Sequence, residues 1–179
     1  MAYKIDTSLV YPLGHLPARI AKDPSRLALR NLMRGVALDL PCGQDVAAAL
    51  HERVLTNDDL LIGKATAKDH KKLESLAQIV PGFGNKAPLW AYILSEAQVT
   101  SWEKADAEAS LDDIPVKLGP VGGRIVAGVF AALLNGDAMS YVNTDSRRGG
   151  APFTPIPEFT RDGNFGLAQL INVALGRTP

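Results

Sequence analysis

The sequence predicts an all-α protein, and three observations support this fold class. Apolar residues recur at helical spacing in several segments, of which the clearest runs from Pro120 to Asn135. Prolines and glycines separate these segments, as expected for helices joined by loops. The alternation of apolar and polar residues that is typical of strands is scarce. The chain of 179 residues is long enough to bury a sizeable core, so we expect a single domain over residues 1–179.

The first half of the chain contains two predicted helices and a weaker third. Residues 1–23 combine prolines and a glycine with single apolar residues, which predicts an extended entry segment. An Asp-Pro-Ser start predicts a helix over about 23–38. A shorter helix is predicted over 44–54, where valine and leucine recur every four residues. Residues 68–79 are predicted to form a surface helix.

The second half contains three predicted helices separated by polar or proline-rich segments. A proline suited to a first helical turn opens an apolar stripe over 88–97. Residues 103–118 are polar and acidic and are predicted to be a loop. The wide apolar face over 120–135 predicts the next helix, which an Asn-Gly pair ends. The glycines and prolines of 144–163 predict an irregular segment, and a last helix is predicted over 164–175.

Composition excludes several classes of protein. The formal net charge is zero, whereas a nucleic-acid-binding protein would show a basic excess. A single cysteine, Cys42, excludes an internal disulfide framework and any CxxC motif. No apolar run approaches the roughly eighteen residues of a membrane span. The first residues lack the apolar core of a signal peptide, so the default localisation is cytoplasmic, and secretion is left open.

Asn31 and Arg34 are the most informative residues of the chain. They are three positions apart on the first predicted helix, so they share a face, on which they lie between Leu27 and Leu38. A buried amide or a buried charge is costly unless it has a partner. We therefore expect this face to meet something polar. The alternative is a structural pair satisfied by backbone carbonyls or a carboxylate.

Three segments carry a resemblance to a known family. Residues 28–43, ALRNLMRGVALDLPCG, resemble the helix of the animal-type haem peroxidases (the myeloperoxidase and cyclooxygenase superfamily) that contains Asn-x-x-Arg-Gly, in its bacterial form. Residues 118–137, LGPVGGRIVAGVFAALLNGD, are similar to a late helix of that family. Residues 88–97, PLWAYILSEA, are similar to the bacterial segment between the two. The three matches follow the family's order and cover only its C-terminal portion.

The resemblance implies a cofactor, two site residues and a reaction. It implies that Asn31 hydrogen-bonds the ring of the histidine that ligates the haem iron, and that Arg34 pairs with a haem propionate. The implied reaction is the reduction of hydrogen peroxide coupled to oxidation of an organic or halide donor. In the family, the catalytic and axial histidines precede this helix, so no catalytic residue is carried over. This leaves three alternatives. An upstream segment supplies these histidines, a partner chain supplies them, or the chain is a non-catalytic remnant.

Two rival functions stay open at this point. One is a non-catalytic helical interaction module, since apolar faces left uncovered by a missing half favour association. The other is a fatty-acid dioxygenase of the same superfamily, which uses haem to generate a tyrosyl radical. Tyr92 and Tyr141 are available for that role, although tyrosines on apolar helices are usually core residues.

Three histidines are the only possible axial ligands within the chain, and each has a simpler explanation. His15 lies in a loop between two prolines, where an imidazole usually packs or faces solvent. His51 follows a short amphipathic helix and is expected at the surface. His70 lies in a solvated basic run.

The remaining candidates are expected to be structural. Arg124 either pairs with a carboxylate or is a cation on the helix face. The glycines of 119–123 lack the spacing of a phosphate-binding loop, and close helix packing explains them better. Nothing near Cys42 predicts an activated thiol. The acidic pairs at 58–59 and 112–113 lack the alternating ligands of a calcium loop and are expected to be solvated.

Overall fold

The computed structural model describes residues 5–9, 11–66, 73–108, 117–143 and 155–178, and for residues 104–108 only the backbone. Within these ranges the protein is mainly helical, which confirms the predicted fold class in its coarse form. Contacts divide the chain into two compact units, Met1–Ala127 and Gly128–Pro179. The single domain over 1–179 stays a prediction.

The first unit contains most of the secondary structure. A two-stranded antiparallel sheet, which the sequence did not predict, pairs Leu61 with Ser75 and Ile62 with Glu74. In chain order the elements of the described ranges are α1 (Tyr11–Gly14), α2 (Leu27–Ala37), α3 (Gly43–Ala49), β1 (Leu61–Ile62), β2 (Glu74–Ser75), α4 (Leu76–Ile79), a 3-10 turn (Pro81–Phe83), α5 (Leu89–Glu108) and α6 (Pro120–Gly136), the last of which continues into the second unit.

Helix α5 is the centre of the core of the first unit. Tyr92 is fully buried, and its hydroxyl accepts a hydrogen bond from the Leu55 N–H (3.0 Å) and donates one to the Arg53 carbonyl (3.4 Å). A Cβ at Gly43 would overlap the Tyr92 ring, so α3 can pack on α5 only because this residue is glycine. The buried residues of this core are Ala47, Leu55, Leu60, Ala87, Tyr92, Val99, Trp102 and Val121.

The start of α6 packs tightly on α5. A Cβ at Gly122 would lie 2.6 Å from Cγ2 of Ile93, and one at Gly119 would overlap the side chain of Glu96. At Gly123, in contrast, an added Cβ would have nothing within 4 Å. Close helix packing is therefore confirmed as the reason for the first two of these glycines.

Several predicted elements have different limits in the structure. The helix predicted over about 23–38 begins only at Leu27, and the helix predicted over 44–54 ends at Ala49. The predicted loop over 103–118 is wrong at its start, because α5 continues to Glu108. Burial of Trp102 next to that segment stabilises the helix despite its polar composition. The predicted helix over 68–79 forms only at Leu76–Ile79, after strand β2, and residues 67–72 lie outside the described ranges.

The entry segment is not simply extended. It contains the short helix α1, and its first described residues are attached to the loop after β1. The Thr7 hydroxyl donates to the Gly63 carbonyl (3.0 Å) and accepts from the Gly63 N–H (2.6 Å). The Asp6 carboxylate accepts from the Ala65 N–H (3.1 Å). Side chains thus supply the backbone of this loop with partners that a neighbouring strand would otherwise provide.

The second unit contains the end of α6, a 3-10 turn (Pro157–Phe159) and α7 (Leu167–Ala174), which is shorter than the predicted helix over 164–175. The side-chain amide of Asn143 donates to three carbonyls at the end of α6, those of Leu134, Asn135 and Asp137. These bonds satisfy carbonyls that have no partner within the helix. Helix α6 matches the sequence prediction, and residues 144–154 of the predicted irregular segment lie outside the described ranges.

Candidate functional site

A half-open cavity of about 440 Å³ lies between α2 and the segment that leads into α5. An antiparallel bridge between Cys42 and Pro88 holds these two parts of the chain together. The half-buried residues of the cavity are mostly apolar and are Asn31, Leu32, Gly35, Cys42, Phe83, Pro88, Leu89 and Trp90. The exposed residues at its rim are Met33, Val36, Asp39, Leu40, Pro41 and Lys86.

The two predicted site residues have different positions with respect to this cavity. Asn31 is half-buried and lines it, whereas Arg34 is exposed and does not. Helical geometry explains the difference, because the cavity faces the side of α2 that contains Leu32, Gly35 and Val36. Neither Asn31 nor Arg34 forms a side-chain hydrogen bond or an ion pair with any residue in the described ranges.

Helix α2 has no buried residue. Val36 is 83% exposed, although it belongs to the apolar pattern that predicts this helix. The helix ends with Asp39 in a left-handed conformation (φ 49°), and the Asp39 N–H and the Leu40 N–H donate back to the Val36 and Gly35 carbonyls. The large apolar residues exposed in or just after α2 are Leu29, Met33, Val36, Leu38 and Leu40.

Neither of the two histidines that the structure describes lines the cavity. His15 is exposed and stacks on Tyr11, with 5.2 Å between the ring centroids. His51 is exposed at the end of α3, as predicted, in a left-handed conformation (φ 56°). His70 lies outside the described ranges. Within those ranges no three His, Cys, Asp or Glu residues are grouped so that they could hold a metal ion.

The structure also assigns positions to the tyrosines and to Arg124. Tyr92 is a core residue, as expected of a tyrosine on an apolar helix, and Tyr141, in the second unit, is 54% exposed. The Arg124 guanidinium forms an ion pair with Glu52 (2.7 Å) and donates to the Leu50 carbonyl (3.3 Å). The first alternative for Arg124, pairing with a carboxylate, is therefore confirmed.

Two of the remaining candidates also have assigned positions. Cys42 is half-buried at the N-cap of α3, and its Sγ lies 4.0 Å from the Asn85 carbonyl oxygen. Asp59 accepts from the N–H and hydroxyl of Thr56 (both 2.9 Å). The acidic pair at 112–113 lies outside the described ranges.

Glu96 is a buried carboxylate that sequence reasoning did not identify. It is 3% exposed, and its two oxygens accept from the Val121 N–H (2.9 Å) and the Gly122 N–H (3.1 Å) at the start of α6. Burial raises the pKa of this carboxyl, and the negative charge of Glu52 raises it further, while the two backbone hydrogen bonds lower it. The first amides of α6 are thus occupied by a residue of the chain itself, which agrees with rejecting a phosphate-binding loop.

Sequence reasoning also missed the opposite wall of the cavity. Phe83 belongs to the Pro-Gly-Phe-Gly break, and Lys86 and Trp90 follow it. The only local signal was the pair of aromatic residues, one within the break and one after it. Nothing nearby in the sequence indicates that this segment pairs with Cys42, more than forty residues earlier.

Comparisons with known proteins found no match. No family model, no curated protein and no solved structure is significantly similar to this chain. Among the described helices, none combines the length and the apolar character needed to cross a membrane.

Proposed function

We propose that this chain is the C-terminal part of an animal-type haem peroxidase and that Asn31, in the cavity, and Arg34, on the exposed side of α2, both contact its haem. The observation that carries the proposal is that these two side chains lack polar partners among the described residues. An amide and a guanidinium one helical turn apart have no polar partner within the described residues. The half-buried amide of Asn31 would gain a hydrogen bond from a group outside the chain. The exposed guanidinium of Arg34 is free to pair with an anion.

The two side chains fit a haem by their chemistry. A guanidinium is a planar donor that suits a carboxylate, so Arg34 would bind a propionate. An amide can hydrogen-bond the ring nitrogen of a metal-bound imidazole, so Asn31 would fix the orientation of the axial histidine. The histidine itself would come from a segment that this sequence does not contain. A bound haem would supply the reduction of peroxide, coupled to oxidation of an organic or halide donor.

A hemin titration tests this proposal. The purified chain is titrated with hemin in the presence of imidazole, which replaces the missing axial histidine, and the Soret band is recorded. We expect a sharp ligated band that Asn31→Ala and Arg34→Gln both weaken. Arg26→Gln is the matched control, because Arg26 is an exposed arginine at the start of the same helix and outside the proposed site.

Two results would contradict the haem site. One is a spectrum that equals that of hemin and imidazole without protein. The other is an equal loss of the band in Arg34→Gln and Arg26→Gln, which would indicate non-specific attraction of the propionates to basic residues. Circular dichroism of each variant separates a lost site from a lost fold.

A second candidate function, a helical interaction module, has an observation of its own. In or just after α2, five large apolar residues are exposed, and exposed apolar surface favours association. This candidate predicts a defined oligomer that is independent of hemin. Sedimentation velocity with and without hemin, on the chain and on Val36→Lys, distinguishes the two. An oligomer that Val36→Lys dissociates, together with free-hemin absorbance, favours the interaction module.

A further inference from the structure

The cavity beside α2 has the dimensions of a small-molecule site. Its volume of about 440 Å³ is within the range of ligand pockets, roughly 300–1,000 Å³. Its inner wall is formed by half-buried apolar side chains, among them Leu32, Phe83, Leu89 and Trp90. Such a wall favours the apolar body of a ligand over water.

The rim of the cavity has one negative and one positive side chain. Asp39 lies at the end of α2 and Lys86 lies just before α5, and both are exposed. Within the described ranges, neither forms an ion pair with the other or with any third residue. A ligand with a single charge would be attracted by one of the two and repelled by the other.

The neighbouring helix ends strengthen this separation of charge. The carbonyl end of α2 adds negative potential on the side of Asp39, and the amide end of α5, at Leu89, adds positive potential on the side of Lys86. The rim therefore has one side chain of each sign, and each lies beside a helix end of the same sign.

We propose that this cavity binds a zwitterion with a large apolar side chain, such as a hydrophobic aromatic amino acid. The carboxylate of the ligand meets Lys86, its ammonium meets Asp39, and its ring packs on Phe83 and Trp90. The cavity shares Asn31 with the proposed haem site, but the inference uses neither Arg34 nor any group supplied from outside the chain, so the two proposals can fail separately.

Three matched probes test the proposal. They are L-4-phenylphenylalanine, the corresponding acid without the amine (3-(4-biphenylyl)propionate), and the corresponding amine without the carboxylate (2-(4-biphenylyl)ethylamine). Binding is followed by titration calorimetry and by the fluorescence of Trp90, one of two tryptophans in the chain. We expect the zwitterion to bind about two- to fivefold more tightly than either analogue, as is usual for exposed ion pairs.

The variants assign each charge to its part of the ligand. Lys86→Met is expected to weaken binding of the zwitterion and of the acid but not binding of the amine. Asp39→Asn is expected to weaken binding of the zwitterion and of the amine but not binding of the acid. Trp90→Phe is expected to remove most of the fluorescence change while heat is still released. Equal binding of all three probes, or losses that do not follow the charge, would overturn the proposal.

A blocking variant tests whether the ligand occupies the cavity. Gly35 lines it, and a Cβ there has nothing within 4 Å, so Gly35→Leu adds a side chain at the cavity wall whose Cβ has free space. The change also raises helix propensity, so the variant is expected to fold. Gly123→Leu is the control, because this glycine has equal space on α6 and does not line the cavity. Zwitterion binding that survives Gly35→Leu as well as it survives Gly123→Leu would place the ligand elsewhere and overturn the proposal.

Discussion

Helices α2 and α5 of the first unit show opposite relations between sequence and burial. Helix α2 has the clearer amphipathic pattern but no buried residue. Helix α5 includes polar residues on several sides, yet it is the helix around which the core is built. Its buried polar residues are Ser95, Glu96, Gln98 and Ser101.

Each buried polar side chain of α5 has a backbone partner. Ser95 donates to Leu61, Gln98 to Gly63 and Ser101 to Ala97, while Glu96 accepts from the start of α6. Polar residues can be buried when they are satisfied in this way. The large apolar residues in and just after α2, in contrast, are exposed, because no described residue covers them. The comparison shows that no described residue covers the apolar side of α2, whereas the buried polar side chains of α5 have partners, apart from the Oε1 atom of Gln98.

The strongest test of this contrast is a pair of glycine substitutions. Gly43→Ala is expected to destabilise the protein by about 3 kcal/mol, because the added methyl would overlap the Tyr92 ring in a packed core. Gly35→Ala on α2 is expected to stabilise it by about 1 kcal/mol, since the site is open and alanine favours the helix. Urea unfolding measures both. Similar effects of the two substitutions would mean that α3 does not pack on α5 as described.

The next largest effect is expected at the start of α6. Glu96→Ala removes the acceptor of two buried N–H groups, those of Val121 and Gly122, and is expected to destabilise the protein by about 2 kcal/mol. Glu103→Ala is the matched control, because this glutamate lies on the same helix and forms an exposed ion pair with Arg53. Urea unfolding of the control should show a much smaller loss of the free energy of unfolding. Equal losses would contradict the role of Glu96 as the acceptor for α6.

A smaller effect is expected from pH. The pKa of Glu96 is raised above its ordinary value of 4.5, with burial as the main cause. The folded state therefore binds this proton more tightly than the unfolded state does. The resulting stabilisation is complete below the ordinary pKa and is lost as the pH rises through the raised one. The free energy of unfolding of the wild type, relative to Glu96→Gln, should fall as the pH rises above the ordinary pKa of 4.5. A relative free energy that rises over this range would contradict the direction of the shift.

The smallest effect concerns the end of α3. His51 has φ of 56°, a conformation that suits glycine better than a residue with a Cβ. His51→Gly is expected to raise the midpoint of thermal unfolding and to increase the free energy of unfolding by about 0.5 kcal/mol. Ala49→Gly, within the same helix, should lower stability by about the same amount. A loss in both variants would show that His51 makes a contact of its own.

The sequence predicted helices where apolar spacing was long and regular. It located α6 and the end of α2 well, because the apolar periodicity and the stop signal lie close together there. The predicted start of α2 is wrong, because the helix begins at Leu27 and not at residue 23. It failed where structure depends on distant partners. The end of α5 is helical next to the buried Trp102, and β1 pairs with a strand more than ten residues away. Composition contains no signal for either.

The candidate site was predictable only in part. Asn31 was selected from its spacing to Arg34 and lines the cavity, but the spacing could not show that the cavity faces a different side of α2 from Arg34. The opposite wall, with Phe83, Lys86 and Trp90, depends on the bridge between Cys42 and Pro88. A bridge between segments so far apart is a property of the fold and is not encoded locally.

The attachment of Thr7 and Asp6 to the loop after β1 affects how this protein should be produced. Deleting the first eight residues would remove the side chains that accept hydrogen bonds from the Gly63 and Ala65 N–H groups. Recombinant forms of the protein should therefore keep these eight residues.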